Sequence, residues 1–229
     1  MKQHVAVIGL GRFGSAVAAE LGAAGHDVLG IDSDLGVVQR LAPSVTHVVQ
    51  TDATDEQSLG RLGVADCDSA VVAITGHIET SILVTLLLKR LGVERVIAKA
   101  RNDLHGEILT RVGADRVIYP ERDTGLRLAH SWSSSDITDS LDVVEGYAVS
   151  RVQVPQEIVG QELGDVIGNR PDGVTLLLLA RGSRVILYPD RGERLQRRDV
   201  LVLAGELEEM ERFFSSLHQV SGSSGRSDP

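Results

Sequence analysis

Along the first 130 residues, short runs of β-branched residues and alanine alternate with stretches whose apolar positions recur at helical spacing. Strands are predicted at Val5–Ile8, Val28–Ile31, Thr46–Val49, Ser69–Ile74, Arg95–Ala98 and Arg116–Ile118. Their nearly continuous apolar content suits strands covered on both faces. Helices are predicted over residues 14–24, 34–42, 55–62, 78–91 and 103–112, the fourth carrying Ile82 and Leu86 behind a Thr80-Ser81 start. Six strands joined by five helical crossovers make an α/β fold, a Rossmann-type doubly wound parallel sheet.

The pattern then changes. Residues 120–132 read as one more helix, and Ser131–Ser140 is rich in serine and aspartate with no clear core face. The expected division is a nucleotide-binding domain over 1–134, a second, smaller α+β domain over 135–218, and a disordered Ser/Gly tail over 219–229. Within the second domain, strands are expected near 144–154, 174–180, 184–188 and 199–204, with helices near 161–167 and 206–217.

Composition narrows the function. A hydrophobic fraction of 42% fits a globular chain rather than a disordered or collagen-like one. The net charge of −9 argues against a general binder of nucleic acid or anionic membrane. An aromatic content of 3% leaves little for stacking on single-stranded bases. The single cysteine, Cys67, excludes a disulfide framework and a thiolate-built metal site. No apolar run approaches the ~20 residues that cross a bilayer, and the start Met1-Lys2-Gln3-His4 is unlike a signal peptide. The chain is expected to be cytoplasmic.

The first strand ends in Gly9-Leu10-Gly11-Arg12-Phe13-Gly14, a G-x-G-x-x-G that opens a helix. Gly9 suits the tight turn, Gly11 the approach of a pyrophosphate, and Gly14 close packing of helix on strand. The helix start then offers free N–H groups and the positive end of its dipole to phosphate. Asp32, at the end of the second strand, has the spacing of a carboxylate that accepts hydrogen bonds from ribose hydroxyls. The same carboxylate disfavours a 2′-phosphate. For Arg12, phosphate contact explains the position better than a solvated cation opposing the helix dipole.

Chemistry beyond nucleotide binding finds few candidates. There is no Ser-His-Asp order, no H-E-x-x-H and no metal-spaced cluster. The histidines are scattered, and the arginines of the second domain read as solvated faces. A nucleotide domain without a partner carrying an acid/base pair points to a sensor rather than an enzyme.

At this point a family resemblance enters. The segments Val7–Gly14, Gly25–Val28, Asp52–Asp55, Val72–Ile74, Thr85–Lys89, Lys99–Asn102, Gly113–Ile118 and Pro120–Gly125 resemble the cytoplasmic regulatory subunits of Ktr- and Trk-type potassium-uptake systems, members of the RCK family (regulator of conductance of potassium). The resemblance runs through residues 3–215 and covers both RCK domains.

It implies a Rossmann lobe that binds ATP or ADP, or NAD(H) in Trk-type members. It implies dimers assembling into an octameric ring beneath a membrane potassium-channel or transporter subunit, which holds the protein at the cytoplasmic face of the membrane. By the same resemblance Gly9, Gly11, Arg12, Phe13 and Gly14 hold the phosphates, with Arg12 reaching the terminal phosphate of a neighbouring subunit. Asp32 holds the ribose, Asp52, Ala53 and Thr54 border the adenine, and Thr75, Gly76 and Lys99 lie along the same cleft. Glu121 matches the acidic residue that helps hold Mg2+ or Na+ against the phosphates, although by position alone it reads as an ordinary dipole partner in a first helical turn.

In several members the second domain binds cyclic di-AMP. Here Asn169-Arg170-Pro171-Asp172-Gly173 departs from the family's more basic and aromatic segment, which puts that ligand in doubt. Two further readings stay open: an NAD-dependent oxidoreductase, and a regulator of a cation/proton exchanger.

Overall fold

The computed structural model describes residues 2–133, 137–144, 146–168 and 173–219. The chain divides into two compact units, Met1–Pro120 and Glu121–Pro229. The sequence-based boundary at 134 differs from this only in the helix over Pro120–Ser133, which follows the last strand of the first unit.

In the first unit six strands form one parallel sheet: β1 (His4–Ile8), β2 (Asp27–Asp32), β3 (His47–Gln50), β4 (Ser69–Val72), β5 (Arg95–Lys99) and β6 (Arg116–Ile118), in the order β3-β2-β1-β4-β5-β6. The crossovers are α1 (Arg12–Ala23), α2 (Leu35–Leu41), α3 (Glu56–Arg61), α4 (Ile78–Arg90) and α5 (Asp103–Arg111). Parallel pairing requires such crossovers, and their right-handed sense sends the two halves of the chain to opposite faces.

Two cores result. Val5, Val7 and Val28 meet α1 and α2 on one face, joined by Ala18 from α1 and Val37 and Leu41 from α2. Ala6, Ile8, Ile31, Val96 and Ala98 meet α3, α4 and α5 on the other, with Leu59, Leu88 and Leu109 fully buried. The two-residue alternation of side chains along each strand splits the apolar runs between these cores.

The strand order reverses between β1 and β4, so the loops after β1 and β4 part there. That is where open α/β sheets leave a crevice at the carboxyl ends of their strands.

The second unit has a five-stranded antiparallel sheet in the order β10-β9-β11-β8-β7. Its strands are β7 (Ile137–Val144), β8 (Tyr147–Gln153), β9 (Val174–Arg181), β10 (Arg184–Leu187) and β11 (Val200–Glu206). The helices are α6 (Pro120–Ser133), α7 (Leu163–Gly168) and α8 (Leu207–Gln219). Met210, Phe213, Phe214 and Leu217 recur at three- and four-residue spacing on α8 and pack on Val152, Leu201 and Leu203.

Strand β7 falls where the sequence shows no core face. It pairs antiparallel with β8, with irregular register between Ile137 and Asp139. Leu141, Val143 and Val144 on it are exposed. An edge strand held by backbone pairing leaves no burial period to read.

A second departure is Arg181, which is no solvated face. Its guanidinium donates to both carboxylate oxygens of Asp199 at 2.9 and 2.8 Å and to Glu193 at 2.7 Å. Asp199 is buried and also accepts the Gln196 N–H, so the loop before β11 is tied to β9. These carboxylates raise the Arg181 pKa further, the Asp199 hydrogen bond most.

Candidate functional site

The crevice at the switch point is a cleft of about 310 Å³. Its floor is apolar, with Ile8, Ile31, Ala73 and Ile74, and its rim is built from the loops that leave β1 to β4.

The three glycines of the first loop act differently. Gly9 sits at φ 87° in the left-handed region, and a Cβ there would lie 2.8 Å from the Ile74 side chain. Its N–H donates to the Ile31 carbonyl at 2.8 Å, which pins the turn to β2. Gly11 is the N-cap of α1 and has open space where a Cβ would point, so a ligand can approach the backbone. Gly14 is buried, and a Cβ on it would run into the Gly9 carbonyl oxygen. No side chain caps α1 and no acidic residue stands in its first turn. That leaves its leading N–H groups and dipole to an anion.

Asp32 closes β2 at the lip of the cleft. One carboxylate oxygen accepts the Leu10 N–H at 2.6 Å and the other accepts the Asp34 N–H at 2.9 Å. The carboxylate is thereby fixed between the glycine loop and the β2–α2 turn, with lone pairs left for hydroxyl donors.

Beyond β3, Asp52 and the buried Ala53 also line the cleft. Thr54 does not line it; its N–H and hydroxyl donate to Asp52 at 2.9 and 2.7 Å and hold that carboxylate in place. These bonds, the backbone one foremost, keep the Asp52 carboxyl below the usual carboxylate range. Thr75 and Gly76 line the opposite wall.

Ser33, Thr51, His77 and Thr80 also line the cleft and were not anticipated. Their one sequence signal is position, each lying in or just after a loop at the carboxyl end of a strand near the switch point.

Besides Gly14 and Thr54, the anticipated residues Arg12, Phe13, Lys99 and Glu121 stand outside the lining. Arg12 is the exposed first residue of α1. Phe13 packs beneath that helix, on the core that holds Val7 and Leu10. Lys99 ends β5, is 5% exposed, and places its ammonium 5.3 Å from the centre of the Phe13 ring.

Glu121 lies in the first turn of α6, exposed, beside Asp123 in the same turn. Among the described residues no three His, Cys, Asp or Glu side chains gather as a metal cage. One carboxylate fits an ion shared with phosphates, not a site made of protein alone. The segment expected to decide cyclic di-AMP binding lies, through Asp172, outside the described residues. No helix among the described residues is long and apolar enough to cross a membrane.

A doubly wound sheet with a glycine loop, an uncapped helix start and a fixed carboxylate on the next strand defines the class of Rossmann-type nucleotide domains. The TrkA-N domain family matches residues 5–120. The chain is 36% identical over 213 residues to Ktr system potassium uptake protein C of Bacillus subtilis, covering 93% of this chain and 96% of that protein. The chain belongs to the TrkA-N family, and within it stands with the Ktr potassium-uptake proteins.

Among solved structures, the GsuK channel bound to NAD aligns with a TM-score of 0.64 at 18% identity, over all of this chain and 41% of that one. GsuK bound to ADP aligns with a TM-score of 0.51 at 20% identity, over 59% of this chain and 35% of the other. The chain therefore spans about two fifths or less of those channel chains, and at these identities the likeness shows the fold alone.

Proposed function

We propose that the protein is a nucleotide-gated regulatory subunit of a potassium-uptake system, binding ATP and ADP, or NAD(H), in the cleft at the switch point. The observation that carries this reading is the cleft itself, where the open Gly11 backbone, the uncapped start of α1 and the fixed Asp32 carboxylate converge. The likeness to a Ktr potassium uptake protein over nearly its whole length supports the transport role.

Gly9, Gly11 and Gly14 form the phosphate loop, Asp32 takes the ribose hydroxyls, and Asp52 with Ala53 borders the base. Arg12, exposed at the helix start, is free to meet the terminal phosphate of a nucleotide in a neighbouring subunit. Glu121 supplies one oxygen to Mg2+ or Na+, which neutralises phosphate charge.

The nucleotide-binding lobe spans 1–134 and the regulatory lobe 135–218, the latter a candidate for cyclic di-AMP. Leu83, Leu86 and Leu104 on α4 and α5 are exposed and support self-association, from dimer to octameric ring. The membrane subunit is a separate chain, so this protein is cytoplasmic and peripheral at the membrane face. It turns nothing over: exchange of one nucleotide for another shifts the ring between states only by the difference in contacts each makes.

The test is calorimetric competition of ATP, ADP, NADH and cyclic di-AMP on the purified chain, with and without magnesium. Saturable adenine-nucleotide binding without turnover is expected, and Arg12→Ala should weaken ATP far more than ADP. Equal losses for both would remove Arg12 from terminal-phosphate sensing. Oxidation of NADH by the protein would favour the oxidoreductase reading.

A further inference from the structure

The six-stranded sheet carries a second cleft, of about 420 Å³, at the amino ends of β1 to β3. Strand register explains its make-up. Leu29 of β2 lies beside His47 of β3, and Ile31 beside Val49, so these side chains share one face. Two residues earlier on β2, Asp27 lies beside His4 of β1 on the same face. Helix α3 is six residues long and ends at Arg61, which leaves Leu29, Val49 and Leu62 only half-buried. The cleft therefore has an apolar floor with polar groups at its rim, the make-up of a small-molecule site.

The two rim carboxylates differ. Asp27 is engaged by the Lys2 ammonium at 3.2 Å and stands 3.8 Å from the His4 imidazole. Lys2 keeps the Asp27 carboxyl below the usual carboxylate range. Asp66 accepts no hydrogen bond and forms no ion pair among the described residues. Its Oδ2 lies 3.5 Å from where a Cβ on Gly63 would stand, and Gly63, just past the C-cap of α3, lines the cleft with it.

Charge sets the sign of a ligand. Lys2 offsets Asp27, Asp66 is left over, and the crossover helices turn their carbonyl ends to this end of the sheet, so a cation is favoured. A bare metal ion does not fit. Among the described residues no three His, Cys, Asp or Glu side chains converge on one point, and an ion would leave the floor uncovered.

We propose that this cleft binds an organic monocation, a protonated amine on a flat apolar body, whose ammonium pairs with Asp66 while the body covers Leu29, Val49 and Leu62. His47, beside Leu29 in register, adds an imidazole nitrogen that accepts from an ammonium when neutral. The volume lies within the ~300–1,000 Å³ of ligand pockets and has room for an indole. The site is separate from the nucleotide cleft at the other end of the strands.

The experiment is calorimetric titration of the full chain with tryptamine, tryptophol and indole-3-acetate, which share an indole and differ in charge. Tryptamine should bind saturably in the millimolar range or tighter, tryptophol more weakly, and indole-3-acetate weakest. Asp66→Asn should weaken tryptamine by about tenfold, the scale of a hydrogen bond to a charged group, and leave tryptophol unchanged. Val49→Phe, which fills the floor, should weaken both. An excess of ADP should leave tryptamine binding unchanged.

No tryptamine binding at millimolar concentration, equal affinity for the three ligands, or displacement of tryptamine by ADP would overturn the proposal. So would an unchanged tryptamine affinity in Asp66→Asn or in a folded Val49→Phe. If ligand-free melting shows that Val49→Phe does not fold, Asp66→Asn, at an exposed position, decides: selective loss of tryptamine supports the proposal, and no loss or an equal loss of tryptophol overturns it. A chain that binds tryptamine but neither ATP nor ADP supports this site and overturns the nucleotide reading alone.

Discussion

The two ends of the six-stranded sheet each carry a cleft, and the larger one is at the end less suited to an anion. At the amino ends of β1 to β3 a cleft of about 420 Å³ opens over Leu29, Val49 and Leu62, rimmed by His4, Asp27, His47 and Asp66. The cleft at the carboxyl ends measures about 310 Å³.

The difference lies in what the backbone presents. Crossover helices run antiparallel to the strands they join, so their N-terminal N–H groups gather at the carboxyl end and their C-terminal carbonyls at the other. An anion meets donors at one end, and carbonyls with Asp27 and Asp66 at the other. The amino-end cleft exists because the short α3 leaves the outer part of β2 and β3 bare on its face. Volume marks incomplete coverage; the direction of the helices marks the end that favours an anion.

The comparison can be broken most forcefully at Gly14. Gly14→Ala drives a Cβ into the Gly9 backbone, and overpacking of this kind costs ~1–3 kcal/mol. A lowered melting temperature and loss of nucleotide binding are expected, and normal values for both would remove the close approach of α1 to β1 from the argument.

Asp32→Ala comes next, with roughly tenfold to hundredfold weaker nucleotide binding, the worth of hydrogen bonds to a charged acceptor. Asp32→Asn, which keeps one acceptor oxygen, should lose less in the same titration. At the amino end, His47→Ala and Asp66→Ala should change nucleotide affinity by no more than about 0.5 kcal/mol, as for exposed sites away from the ligand. A larger change there would mean that the two clefts are coupled.

The smallest effect is on acid stability. Asp115, just before β6, accepts the Val96 N–H at 2.6 Å and the Lys89 ammonium at 3.0 Å, which hold its carboxyl below the usual range, the backbone bond foremost. A carboxyl with a lowered folded-state pKa stabilises the fold above its unfolded pKa of about 4, and that stability is lost as the pH falls through the folded value. Melting of Asp115→Asn against pH should therefore show a shallower decline below about pH 4 than the wild type. Parallel curves would remove this contact from acid stability.

The cleft's main features were legible because their signals are local. A glycine triplet after an apolar run and a carboxylate at the end of the next run specify a turn, a helix start and an acceptor within 24 residues of one another. The strands of the first unit were placed to within two residues of those observed, since buried parallel strands are continuous apolar runs.

Other features had no such signal. Strand β7 mixes Thr138, Asp139 and Ser140 with its apolar residues and is held at an edge by β8. Arg181 is unremarkable in sequence, and its role depends on Asp199 and Glu193, 18 and 12 residues away. His77 and Thr80 joined the cleft only once β4 lay beside β1.

The sequence by itself determined the fold class, the glycine turn that opens α1 and the carboxylate that closes β2, because each follows from short-range pattern and backbone stereochemistry. Only the tertiary structure decided that His77 and Thr80 join the cleft and that Arg181 pairs with Asp199 and Glu193. Each depends on contact between segments far apart in the chain, the pairing of β1 with β4 and of β9 with the loop before β11, which no short-range pattern encodes.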